Sequence, residues 1–108
     1  MGINISVHTS TAQEFFALES EGAPQLNITT GNTAKLLSYF GLEYDQEHHC
    51  GSIDPHHILD RAHEARDNAW RWDNDLMNPY MTYDLKRVDA LIEIAEVARN
   101  LRRDISYG

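Results

Sequence analysis

The stretch from about Tyr83 to Arg103 sets the frame for the whole chain. Leu85, Val88, Leu91, Ile92, Ala95, Ala98 and Leu101 recur there at helical spacing and fall on one face. A helix of that length runs roughly 30 Å at 1.5 Å per residue, about the width of a small domain. Its apolar face has to be covered. With 108 residues in all, the covering layer must come from the same single domain, residues 1–108.

Strands supply part of that layer. Ile3-Asn4-Ile5-Ser6-Val7 and Gln25-Leu26-Asn27-Ile28-Thr29 alternate apolar and polar residues, as half-buried strands do. Residues 10–19 fit a helix or a hairpin partner for the first strand. Thr30-Gly31-Asn32 opens a helix with Asn32 as its cap, Leu36, Leu37 and Phe40 facing inward, and Gly41 as its stop. Gly51-Ser52-Ile53 offers a short extended segment. Asp54-Pro55 starts another helix, whose inner face is Ile58, Ala62, Ala65 and Ala69. Ile105-Ser106-Tyr107 either frays or returns as an edge strand. The expected fold is α+β: a small antiparallel sheet of short strands, two long amphipathic helices and one short helix.

Charge excludes one class of partner. The formal charge is −8, and residues 1–54 hold seven acids against one base, Lys35. Direct nucleic-acid binding needs clustered cations and is not expected. The one basic strip, Arg99, Arg102 and Arg103, is where cations favour a helix dipole. An acidic half suits a protein partner with a basic surface. No apolar run is long enough to cross a membrane, no secretory signal is evident, and the lone Cys50 cannot make an internal disulfide; these point to a cytoplasmic protein.

Several residues resemble a pattern in small phage, prophage and bacterial mobile-element proteins. The matching pieces are Leu26-Asn27-Ile28, Asn32-Thr33-Ala34, Leu36-Leu37, Gly41-Leu42, Gly51-Ser52-Ile53-Asp54 and the tail Ile105-Ser106-Tyr107-Gly108. The resemblance implies a mobile-element origin and carries no activity.

Chemistry concentrates between His48 and His63. Five of six histidines and the only cysteine fall there: His48, His49, Cys50, His56, His57 and His63. On one continuous helix His56, Asp60, His63 and Asp67 would lie within about 60° of each other, so His56, Asp60 and His63 could share a Zn²⁺ ion. His48, His49 or Cys50 could add a ligand from the preceding loop. The pattern lacks His-Glu-x-x-His and Cys-x-x-Cys, so a solvated polar face explains it equally well.

Two further segments draw notice. Gly31, Asn32 and Thr33 at a helix start could hold an anion, but the second Gly of a phosphate loop is missing before Lys35. Trp70, Trp72, Leu76, Met77, Tyr80, Met81 and Tyr83 crowd large side chains into one segment. Trp72 projects with the core face, whereas Trp70, Tyr80 and Met81 suit a partner surface. The expectation is a non-enzymatic accessory protein that binds a host protein or a second copy of itself, without a cofactor. The alternative is a metal-dependent hydrolase or metal-binding protein using the His/Asp/Cys cluster.

Overall fold

The computed structural model describes residues 2–73 and 83–108, without the side chains of residues 72, 73 and 83. The chain runs β1 (Gly2–Val7), α1 (Ala12–Ser20), β2 (Gln25–Thr29), α2 (Thr30–Tyr39), β3 (Gly51–Ile53), α3 (Pro55–Asp60), α4 (Ala62–Asp73), α5 (Tyr83–Asn100) and β4 (Ile105–Tyr107). The strands form one antiparallel sheet in the order β2-β1-β4-β3. The fold is α+β, with more and shorter helices than the periodicity suggests.

Strand alternation divides the sheet into two unlike faces. Ile3, Ile5, Val7, Ile28, Ile53, Ile105 and Tyr107 point into the core. The register sets Gln25, Ser6, Ser106 and Ser52 side by side across all four strands on the other face. The helices cover the apolar face. Leu36, Leu37 and Phe40 from α2, Ile58 from α3, Ala65 and Ala69 from α4, and Val88, Leu91, Ile94, Ala95 and Ala98 from α5 complete one core. Buried alanines on both α4 and α5 leave little side-chain bulk between those helices.

β4 is an interior strand rather than an edge or a frayed tail. It pairs with β1 through Ile5–Tyr107, Ser6–Ser106 and Val7–Ile105, and with β3 through Gly51–Tyr107, Ser52–Ser106 and Ile53–Ile105. Reciprocal 3.0 Å bonds between Asn4 and Gly108 extend the ladder beyond Tyr107. Gly51 makes room for the Tyr107 ring, because a Cβ there would lie 2.6 Å from the phenol oxygen.

One open alternative closes and one expected cap changes. Residues 12–20 are helical: Thr11 caps α1 by accepting the Glu14 N–H, yet no residue of α1 is buried. Arg103 ties α1 to the far end of the chain, its two terminal nitrogens 3.2 and 3.0 Å from the two Glu14 carboxylate oxygens. That guanidinium foremost, with the Ser10 N–H next, holds the Glu14 carboxyl below its ordinary range. Thr29, not Asn32, caps α2, its hydroxyl accepting the Asn32 N–H at 3.3 Å. Gly41 does end that helix, at φ 73, with the Leu42 N–H closing back onto the Leu37 carbonyl at 2.9 Å.

The helix that starts at Pro55 does not continue through Ala69. It stops at Asp60, Arg61 turns at φ −107, and α4 begins at Ala62. The Arg61 guanidinium lies over Gly41, where a Cβ would approach it to 2.8 Å. The turn lets α3 and α4 contact α5 as two separate elements.

A buried acid joins α2 to α5. Asp84, 6% exposed, lies 2.8 Å from the Lys35 ammonium, accepts the Tyr39 hydroxyl at 3.1 Å and has Arg87 at 3.6 Å. A carboxylate in the first turn of α5 also suits the positive end of that helix.

Candidate functional site

The histidine cluster is contiguous in sequence and dispersed in space. His48 and His49 are anchored within their own loop. The Asp45 side chain accepts the Glu47 and His48 backbone N–H groups and contacts the His48 ring at 3.0 Å. The His48 backbone N–H is the largest cause holding the Asp45 carboxyl below its usual range, and the His48 ring adds to it. His49 sits in the left-handed region at φ 55, with its Nδ1 2.8 Å from the Tyr44 hydroxyl. Tyr44 packs on Tyr107 with ring centroids 5.6 Å apart, and the Tyr107 hydroxyl accepts the Asp45 N–H. These contacts shape a loop and converge on no common point. Cys50 is exposed.

The remaining imidazoles point to different neighbours. His57 is half-buried and donates from Nε2 to the Phe40 carbonyl at 2.9 Å, a satisfied structural histidine. His63, 94% exposed, faces Asp67 at 3.6 Å on α4. The break at Arg61 puts His56 and Asp60 on one helix and His63 on the next. Among the described residues no three His, Cys, Asp or Glu side chains lie close enough to hold one ion. The proposed ligands His56, Asp60 and His63, with His48, His49 or Cys50, are therefore not assembled.

The start of α2 is occupied by its own residues. Thr33 is fully buried, and its hydroxyl donates to the Thr29 carbonyl at 2.9 Å. The Asn32 N–H is taken by the Thr29 hydroxyl. Gly31 faces open space. Asn32 and Thr33, two of the three residues named for an anion, thus serve the cap.

Trp70 is on the surface. It is 59% exposed on α4, one of three large hydrophobic residues so exposed among those described; the others are Phe16 at 61% and Leu101 at 43%. His63, Asp67 and Trp70 follow at i, i+4 and i+7 and share an outward stripe. Tyr80, Met81 and the side chain of Trp72 lie outside the described residues.

One arrangement was not anticipated from the sequence. A cleft of about 250 Å³ opens between the start of α3 and the end of α5, lined by Asp54, His56, Arg99, Arg102, Arg103 and Asp104. The arginine strip was legible, but nothing in the sequence brings it against His56. Comparison with known proteins finds no matching family model, no similar curated protein and no similar solved structure. Geometry alone therefore carries the functional argument.

Proposed function

We propose that the protein is a non-enzymatic accessory module of phage or mobile-element type that works by binding another protein. The observation that carries this reading is Trp70, more than half exposed on a helix whose opposite side packs into the core. An indole left so open forgoes on the order of 1–2 kcal/mol of burial, which a partner surface can recover. Exposed Trp is also enriched among the few residues that dominate interface energies. Asp67 on the same stripe and the charge of −6 over residues 1–54 (seven acids, one base) favour a partner with cations around its pocket. No helix among the described residues is long and apolar enough to cross a membrane. The partner is a host protein or a second copy of the chain. The metal-dependent alternative requires donors that the break at Arg61 separates.

The test compares tag-free wild type with Trp70→Ala in two measurements, quantitative crosslinking in host lysate and sedimentation velocity of the pure protein. Trp70→Ala is expected to lose at least one crosslinked partner, or a self-associated species, by about tenfold or more, since a hot-spot truncation costs about 2 kcal/mol. Its circular dichroism should match wild type. Identical crosslinks and identical sedimentation would contradict the reading.

A further inference from the structure

We propose that the cleft between α3 and the end of α5 binds a small phosphate monoester carrying hydroxyl groups, an activity separate from the protein contact at Trp70. The chain has only nine Lys and Arg residues, and three of them line this one cleft. Arg103 serves as a wall, neutralised by its two-point contact with Glu14. The Arg102 backbone N–H donates to the Arg99 carbonyl at 3.1 Å, but neither guanidinium has a hydrogen-bond or ion-pair partner among the described residues. Service to the helix dipole accounts for Arg99, in the last turn of α5. It does not account for Arg102, which lies past the helix end at φ 57, where glycine is the favoured residue. From that position Arg102 lines the cleft.

The lining selects the ligand. Two guanidinium groups and the His56 imidazole are donors from three separate backbone positions, a better match to a three-oxygen phosphoryl group than to a two-oxygen carboxylate. The two carboxylates already have structural roles. Asp54 accepts the His56 backbone N–H at 2.9 Å, and Asp104 accepts the Ser52 hydroxyl at 3.4 Å. Each retains lone pairs that can accept hydroxyl donors, and a sugar phosphate supplies several at a distance from its phosphoryl group, where inorganic phosphate has only its own P–OH. A volume of about 250 Å³ lies just below the range typical of drug-sized ligands and admits a ligand the size of a pentose phosphate.

Calorimetric titration of tag-free protein with ribose 5-phosphate tests this, with ribose and inorganic phosphate as comparison ligands. The expected result is saturable one-to-one binding in the range of about 0.1–1 mM, tighter than either comparison ligand. Arg102→Gly should weaken it about tenfold or more while melting at or above the wild-type temperature, because glycine suits φ 57. Arg99→Ala should weaken binding likewise. Non-saturable wild-type binding, undiminished affinity in both variants, or equal affinity for ribose or phosphate alone would overturn the proposal.

Discussion

Removing residues 104–108 is expected to leave a chain with no cooperative thermal transition. Those residues carry β4, which lies between β1 and β3, so their loss separates β3 from the rest of the sheet. The deletion also takes Ile105, fully buried, and Tyr107, 7% exposed, out of the core. Truncations of buried side chains of that size cost about 2–5 kcal/mol each. Their sum alone rivals the total stability of a small domain, about 5–15 kcal/mol. The anchor for Asp45 disappears with the Tyr107 hydroxyl. A frayed tail or a lightly held edge strand would predict a shift of only a few degrees. Melting followed by far-ultraviolet circular dichroism separates the two outcomes, and a retained sharp transition would refute the interior placement of β4.

Phe40→Ala should produce the largest loss for any single core position among the described residues. Phe40 caps the C-terminal end of α2, is completely buried, and is the largest of the fully enclosed side chains among the described residues. Aromatic truncation in a closed core costs about 3–5 kcal/mol. In a domain of this size that lowers the melting temperature by roughly 15–30 °C. The Phe40 carbonyl, which accepts the His57 ring, is kept in the variant, so the loss measures packing and not that hydrogen bond. Phe16→Ala is the matched comparison: the same chemistry at 61% exposure should change stability by no more than about 0.5 kcal/mol. Urea denaturation of the two variants checks both values. Similar losses at the two positions would place the core elsewhere.

Periodicity made the α+β class and α5 legible. The residues it assigns inward include Val88, Leu91, Ala95 and Ala98, all fully buried, but also Leu101, which lies past the end of α5 and is 43% exposed. β1 and β2 were legible for the same reason, since alternation states which side faces the core. The failures share one cause, tertiary context. Nothing in Ile105-Ser106-Tyr107 distinguishes a central from an edge strand, because pairing uses backbone groups that every residue has. At the break, the Arg61 side chain lies over Gly41, a residue of another segment. Residues 12–20 bury no residue fully, so no period marks them as helical.

The spatial spread of the histidines was hidden for the same reason. Five histidines adjacent in sequence become a loop, a short helix and a second helix, and each imidazole takes the geometry of its own element. The cleft at Arg99, Arg102 and His56 forms only when the middle and the end of the chain meet.

The account rests on a core that closes through apolar packing alone, with the histidines of 48–63 outside any structural ion site. Melting tag-free protein, purified without metal-affinity resin, with and without excess EDTA measures this directly. Superimposable transitions are predicted, since a domain with a sufficient apolar core needs no metal staple. A chelator-induced drop of about 10 °C or more would correspond to roughly 1–3 kcal/mol of stability drawn from a bound ion. That result would contradict the account and put the metal-dependent alternative in its place.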